Sequence, residues 1–239
     1  TDRQVLDELY ARGIYVLNSI YIWGGAPAES VDDRIRAVMD HPAILMWVVG
    51  NEWNYNGLYS GLSFEDARAR VAEVVARVKA IDPSHPVATV YGELPDSDTL
   101  RILDDVDVWG INAYRGISFF DLFDRWEERS ARPMFMAEYG ADAFDARVGR
   151  PNLEAQTEAT LQLTREIVER SPLGGTIFSW SDEWWKDGNG RPDLQDTGGI
   201  APGGGPHPDQ TFNEEWWGLV DIDRRPRPAL RAFTDAFAH

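Results

Sequence analysis

His41-Pro-Ala-Ile-Leu-Met-Trp-Val-Val-Gly-Asn-Glu52-Trp53 is an apolar stretch that ends abruptly in an amide and a carboxylate. Its centre, Ile44–Val49, shows no alternation of apolar and polar residues, which is typical of a strand covered on both faces in a parallel sheet. In α/β barrels the chemistry takes place at the carboxyl ends of such strands. The stretch therefore predicts both an α/β architecture and a catalytic acid at Glu52, with Asn51 beside it.

Strand-like and helical segments alternate along the rest of the chain. The predicted strands are 14–20, 43–49, 86–91, 106–112, 133–138 and 175–180, and the predicted helices are 5–10, 32–39, 64–81, 97–103, 119–129, 153–169 and 228–237. This alternation indicates a parallel α/β sheet, and the 239 residues approach the about 250 that a (β/α)8 TIM barrel takes. We therefore predict one domain, 1–239, that is a TIM barrel incomplete at the N-terminus, because six of its eight strands are visible. The two absent βα units are expected from a missing N-terminal segment or from a second chain.

Composition excludes several classes of partner. With 23 basic and 40 acidic residues the formal net charge is −17, which argues against nucleic acid and anionic membrane surfaces. No apolar stretch approaches the ~20 residues of a membrane-spanning helix, and the absence of cysteine excludes disulfides and thiolate metal sites. The ten tryptophans are unusual. Some of them must be core, but aromatic faces also hold sugar rings.

A second glutamate, Glu138, ends another apolar strand within Met134-Phe-Met-Ala-Glu-Tyr-Gly140. Hydrolysis of a glycosidic bond needs two carboxyl groups flanking the bond. One must be protonated to deliver a proton to the leaving oxygen, and the other must be ionised. A single glutamate at a strand end is structural about as often as it is catalytic. The pair Glu52 and Glu138 in tryptophan-rich sequence favours the catalytic interpretation.

Four segments of the chain resemble the barrel domain of glycoside hydrolase family two, which belongs to clan A. They are His41–Trp47 with Gly50-Asn-Glu52, Gly110-Ile-Asn-Ala-Tyr114, Pro133-Met-Phe-Met-Ala-Glu138-Tyr-Gly-Ala-Asp142, and Gly175-Thr-Ile-Phe-Ser-Trp180. They look like the ends of that family's fourth, sixth, seventh and eighth strands, and the resemblance covers nearly the whole chain.

The resemblance implies a retaining β-glycoside hydrolase with Glu52 as general acid/base and Glu138 as nucleophile. It implies that Asn51 binds the sugar 2-hydroxyl, that Tyr114 holds the Glu138 carboxylate, and that Asn112 also contacts substrate. Trp180 would form the stacking floor of the attacked sugar's subsite, unless Tyr114 and Trp180 merely pack under the barrel mouth. Carboxyl groups about 5 to 5.5 Å apart are expected for retention, whereas about 6.5 to 9.5 Å would indicate inversion. A transglycosylase with the same site and a non-catalytic glycan-binding barrel are the alternatives.

Further aromatic and acidic residues are expected on the same rim. Trp23, Trp53 and Trp185 are candidate sugar-stacking platforms, with core packing as the alternative for each. Four acidic residues either bind sugar hydroxyls or support loops through salt bridges: Asp182, Glu183, Glu214 and Glu215.

No metal or cofactor is predicted. An oxygen-rich string in the loop at roughly 187 to 210 superficially resembles a calcium loop: Asp187, Asn189, Asp193 and Asp196. The bidentate glutamate that such a loop needs at its twelfth position is replaced by Gly198. The four histidines are scattered and suggest no metal cluster.

Overall fold

The computed structural model describes residues 2–20, 22–171, 173–186, 191, 193–196 and 205–237. The chain divides into two compact units, which are Thr1–Asn112 with Glu127–Phe135, and Ala113–Trp126 with Met136–His239. We call them the first and the second unit. The expectation of a single domain over 1–239 stays a prediction.

The first unit is a run of parallel strands connected by helices. Its elements are α1 (Arg3–Ala11), β1 (Val16–Ile20), α2 (Asp32–Arg36), β2 (Ile44–Val49), α3 (Trp53–Asn56), α4 (Phe64–Ile81), β3 (Val87–Gly92), α5 (Ser97–Ile102) and β4 (Val108–Asn112), with short 3-10 helices at Ala28–Val31 and Gly57–Tyr59. β1 pairs with β2, β2 with β3 and β3 with β4, all in parallel. Every residue of β3 and β4 is buried, as expected for strands covered on both faces.

Helix α4 shows how local sequence determines the helices that cover the strands of the first unit. The Ser63 hydroxyl accepts a hydrogen bond from the Asp66 N–H at 3.1 Å, which satisfies one of the helix's unpaired donors. The helix buries an apolar stripe at helical spacing that includes Val71, Val74 and Val78. The span 64–81 agrees with the sequence prediction.

The second unit also contains parallel strands connected by helices. Helix α6 (Leu122–Arg129) and strand β5 (Met134–Tyr139) are divided between the units, and β6 (Phe144–Asp145), β7 (Arg150–Pro151), α7 (Leu153–Arg170), β8 (Gly175–Ile177) and α8 (Pro228–Phe237) follow. β5 pairs with β8 in parallel, and β6 and β7 form a short antiparallel hairpin. α7 packs against α8.

All six predicted strands are present, but the last one is shorter than predicted. β8 ends at Ile177 rather than at 180. The chain beyond it pairs instead with residues 217–220, because the Ser179 N–H donates to the Trp217 carbonyl and the Val220 N–H to the Trp180 carbonyl. Helix α3 and the β6–β7 hairpin were not predicted from the sequence.

Candidate active site

Glu52 stands at a sharp turn at the carboxyl end of β2 in the first unit. Its backbone is left-handed, with φ 46°, a conformation that is uncommon for residues other than glycine. The Glu52 N–H donates to the Val90 carbonyl at 3.0 Å, and the Glu52 carbonyl accepts from the N–H groups of Tyr55 and Asn56 at 2.8 and 3.0 Å. These bonds fix the residue between the ends of β2 and β3 and start helix α3. Strained backbone of this kind persists where the surrounding structure enforces it, often at functional sites.

Two amide side chains meet at the same edge of the first unit. The Asn112 Nδ2, at the end of β4, donates to the Asn51 Oδ1 at 3.2 Å, and the Asn56 Nδ2 donates to the Asn51 carbonyl at 2.7 Å. Asn112 is buried, and no group in the described part of the chain donates a hydrogen bond to its Oδ1. The structure therefore brings Asn51 and Asn112 together directly beside Glu52.

Trp53 is buried, although it was a candidate stacking platform. Its side chain is 0% exposed, and its Nε1 donates to the Thr89 hydroxyl at 2.9 Å. Its ring stacks against Phe64 at 5.8 Å and meets Tyr91 edge-to-face at 5.1 Å. A ring enclosed on its faces and edge cannot receive a sugar, so this placement favours core packing, and we leave Trp53 out of the proposed site. Trp23, by contrast, is 51% exposed.

Glu138 lies near the end of β5 in the second unit, half-buried, and Tyr114 contacts it directly. The Tyr114 hydroxyl donates to the Glu138 Oε2 at 2.8 Å, so the predicted contact is present. The Tyr114 ring is itself held edge-to-face by Trp217 at 5.0 Å and by Phe212 at 5.4 Å. Trp217 is buried. The carboxylate therefore receives its hydrogen bond from a tyrosine whose ring cannot easily turn away.

Several aromatic residues follow β8, and one of them escaped the sequence analysis. Trp180 is 63% and Trp185 is 53% exposed, and Trp185 meets Trp184 edge-to-face at 5.7 Å. Phe178 is half-buried against Trp217 at 5.5 Å, and its carbonyl lies only 2.6 Å from where a Cβ at Gly140 would be. Phe178 lies beyond the end of β8, so strand alternation does not predict its place, and its contact with Trp217 depends on a residue 39 positions further along the chain.

The acidic residues of this region support loops. Asp182 and Arg227 form a buried bidentate pair at 2.8 and 2.6 Å, and Asp182 also accepts from the Gly218 N–H at 2.9 Å. Glu215 is buried and accepts from the Asp196 N–H at 2.9 Å. Glu183 and Glu214 both pair with Lys186, at 3.4 and 3.2 Å. Of the two predicted alternatives, these contacts favour the salt-bridged supports.

Asp142 lies four residues after Glu138 and is buried. The groups that donate hydrogen bonds to it are uncharged. It accepts from the Phe144 N–H at 2.9 Å, and from the backbone N–H and the side-chain amide of Asn213 at 3.3 and 3.2 Å. These donors are neutral, so burial dominates and raises the pKa of Asp142 to about 8. Burial therefore favours the protonated form of this carboxyl group, which attaches the Asn213 segment to the residues that follow β5.

The calcium-like string is only partly described. Asp187 and Asn189 lie outside the described residues, as does Gly198. Of the remaining two members, Asp193 pairs with Arg191 at 2.6 Å, and Asp196 accepts a hydrogen bond from the Glu215 N–H at 3.3 Å. Within the described ranges, no helix is long and apolar enough to cross a membrane.

Comparison with known proteins agrees with this architecture. Pig β-glucuronidase (Sus scrofa) is 28% identical over 173 residues, which are 64% of this chain and 25% of that protein. The solved structure of β-D-glucuronidase from Dictyoglomus thermophilum superposes with a TM-score of 0.66 at 18% identity, covering 99% of this chain and 43% of that one. The β-glucuronidase of Bifidobacterium dentium, solved with coumarin-3-O-glucuronide, gives 0.63 at 22% identity, covering 98% of this chain and 38% of that one. The chain thus spans well under half the length of these relatives.

The family description that matches is "Glycosyl hydrolases family 2, TIM barrel domain", over residues 21–162, more than half of the chain. The predicted fold class, an α/β TIM barrel of which six parallel strands are visible, is confirmed by this match and by the superpositions. The chain belongs to the TIM barrel domain family of the family 2 glycosyl hydrolases.

Proposed function

We propose that this chain carries the catalytic site of a retaining β-glycoside hydrolase, with Glu138 as nucleophile and Glu52 as general acid/base. The observation that carries the proposal is the 2.8 Å hydrogen bond from the Tyr114 hydroxyl to the Glu138 Oε2. A hydrogen bond donated to a carboxylate favours its ionised form, which a nucleophile requires. The packing of Trp217 and Phe212 on the Tyr114 ring keeps that donor in place.

The reaction proceeds in two displacements. Glu138 attacks the anomeric carbon while Glu52 protonates the leaving oxygen, and a covalent glycosyl-enzyme forms as the glycosidic bond breaks. Glu52 then accepts a proton from water, whose oxygen attacks the same carbon and releases Glu138. A hydrogen bond from Asn51 to the sugar 2-hydroxyl would strengthen in the transition state. The Asn112 amide, bonded to Asn51 at 3.2 Å, holds that group in place.

The substrate class is a β-linked oligo- or polysaccharide. The exposed rings of Trp180 and Trp185 suit stacking against sugar faces. Several relatives are named β-glucuronidases, so a glucuronide belongs among the sugars to be tested.

The test uses the natural full-length protein with 4-nitrophenyl β-glycosides of glucose, galactose, mannose and glucuronic acid. Glu138→Ala is expected to abolish turnover. Glu52→Ala should lower kcat/KM, which reports the first displacement, about 10²- to 10⁴-fold on substrates with poor leaving groups and much less on the nitrophenyl ones, whose leaving group hardly needs a proton. Glu128→Ala, an exposed site on α6, is the matched control and should keep full activity.

Azide separates the two roles. It can replace the missing nucleophile in Glu138→Ala and give an α-glycosyl azide, whereas in Glu52→Ala it attacks the glycosyl-enzyme and gives the β-product. Substantial residual activity in Glu138→Ala would exclude its role as nucleophile. An α-configured first sugar product from the wild type would exclude retention altogether.

A further inference from the structure

We infer that Trp23 and Tyr59 form a preorganised aromatic platform that binds the leaving-group sugar of an oligosaccharide. This inference rests on the proposed role of Glu52 as the acid that protonates the leaving oxygen. The two rings meet edge-to-face at 6.1 Å with an interplanar angle of 69°. Trp23 is 51% and Tyr59 is 48% exposed, so two large aromatic faces form an open corner.

The register of β1 and β2 positions this corner beside Glu52. Ile20 and Val49 are direct partners in the parallel pair. Trp23 stands three residues beyond Ile20, and Glu52 stands three residues beyond Val49. The two chains therefore leave the same edge of the sheet at the same level. The platform and Glu52 therefore follow neighbouring strand ends of the first unit, and the leaving group is the part of the substrate that the proposed acid contacts.

The segment that carries Tyr59 is held rigidly to the segment that carries Trp23. The Gly24 N–H donates to the Ser60 hydroxyl at 3.0 Å and to the Leu58 carbonyl at 3.3 Å. The Leu58 side chain is buried, with a methyl 3.6 Å from where a Cβ at Gly50 would be. The loop is therefore fixed to both strand ends.

The backbone at the platform is strained. Leu58 and Tyr59 are consecutive non-glycine residues with φ 53° and 56°. Left-handed backbone is costly for such side chains and persists where the surroundings enforce it. Here the strained turn leaves one large apolar side chain, Leu58, in the core and keeps the next, Tyr59, in solvent beside Trp23. A rigid aromatic corner loses little entropy when a ring binds to it, which favours affinity.

A second exposed aromatic pair in the same unit provides a contrast. Tyr10 and Tyr15 also meet edge-to-face, at 6.0 Å, and are 44% and 56% exposed. They precede β1 and so lie at the amino end of the strands, away from the edge where barrel enzymes bind substrate. The two pairs match in chemistry and exposure and differ in location, so Tyr15 serves as the control.

The first test is direct binding of β-linked disaccharides of glucose, mannose and galactose, measured by calorimetry on the natural full-length protein. Every protein compared carries Glu138→Ala, so that the bound sugar is not hydrolysed during the titration. Trp23→Ala is expected to raise the Kd of the best-bound disaccharide about three- to tenfold, the range of one aromatic contact. Tyr59→Asn removes the ring while asparagine tolerates the left-handed backbone, and it should have the same effect. Tyr15→Ala should leave the Kd unchanged. Equal affinity in all four proteins, or no binding to the Glu138→Ala parent, overturns the platform.

The second test separates the platform from the proposed function. A β-glycosyl fluoride of the same sugar has no leaving-group ring, so Trp23→Ala and Tyr59→Asn should hydrolyse it like the wild type while losing kcat/KM on the disaccharide. Equal losses on both substrates would overturn the platform and leave the hydrolase proposal intact. A wild type that binds disaccharides through Trp23 but hydrolyses no fluoride would refute the hydrolase proposal and keep the platform.

Discussion

Replacing Asp142 by asparagine is expected to abolish a fall in stability that the wild type shows between about pH 4 and pH 8. Asp142 is buried, and its hydrogen-bond donors, the Phe144 N–H and the two groups of Asn213, carry no charge. Burial therefore raises the pKa of this carboxyl group from 3.8 to about 8 in the folded protein. Asparagine has nearly the same shape and no proton to lose. Its amide nitrogen cannot accept the bond that Asp142 Oδ2 accepts from the Asn213 N–H, which lowers the stability of the variant by an amount that does not depend on pH.

The magnitude follows from linkage. Between pH 3.8 and about 8 the folded state binds a proton at Asp142 that the unfolded state lacks. The free energy of unfolding of the wild type therefore falls by about 1.4 kcal/mol for each pH unit in this window. By pH 6 the penalty amounts to about 3 kcal/mol relative to pH 4. The asparagine variant lacks this penalty, so its stability relative to the wild type should rise steadily from pH 4 to pH 8.

The assay is urea unfolding of both proteins at each pH from 4 to 8. Asp145→Asn is the matched control, because a hydrogen bond from Arg147 lowers the pKa of Asp145 to about 2. The stability that Asp145 contributes is lost only as the pH falls through its folded pKa, so this variant should differ from the wild type by a constant amount above pH 5. If Asp142→Asn also differs by a constant amount from pH 4 to 8, Asp142 is ionised throughout and the reasoning is wrong.

Three further substitutions probe the remaining contacts. Tyr114→Phe removes the hydrogen bond to Glu138 and should lower kcat/KM about 10- to 100-fold in steady-state kinetics, with a urea midpoint close to that of the wild type. Arg227→Met leaves Asp182 buried and unpaired and should cost about 3–5 kcal/mol of unfolding free energy. Adding Asp182→Asn, which removes the buried charge but can still accept from the Gly218 N–H, should recover part of that loss, and no recovery would contradict the reasoning. Trp53→Ala creates a cavity in the core and should lower the free energy of unfolding by about 3–5 kcal/mol, measured by urea unfolding. A small loss of stability together with weakened sugar binding would instead support Trp53 as a stacking platform.

Local signals in the sequence were sufficient for most of the helices and strands. Helix α4 has an N-cap, an apolar stripe and a length that all agree, and its span 64–81 is the predicted one. The predicted length of β8 was wrong because the end of this strand depends on a distant segment of the chain. Residues 175–180 are predicted as one strand, but from Ser179 onward the backbone hydrogen bonds go to residues 217–220, about 40 positions along the chain. No periodicity in residues 175–180 encodes that partner.

Sequence motifs were sufficient to predict one contact of the candidate site, between Tyr114 and Glu138. They were not sufficient to predict which aromatic side chains are buried. The Tyr114–Glu138 contact was expected from a family resemblance, since 24 residues separate the two positions and neither pattern nor propensity pairs them. Trp53 looked like a rim residue because it follows Glu52. The left-handed turn at Glu52 instead starts a helix that returns the next side chain to the core. The turn at Glu52 thus leaves Glu52 half-buried at the end of β2 and places the next side chain, Trp53, in the core.

The two glutamates are held by different physical means, and this difference has a measurable consequence. Strained backbone and main-chain hydrogen bonds fix Glu52, whereas Glu138 depends on Tyr114, whose ring is packed by Trp217 and Phe212. Loosening that aromatic packing should weaken nucleophilic attack equally for every leaving group. Altering the Glu52 turn should instead steepen the dependence of rate on leaving-group basicity, because proton donation is what suffers. The slope of rate against leaving-group pKa, measured across aryl glycosides, is therefore expected to stay unchanged in Phe212→Ala, while the rates themselves fall.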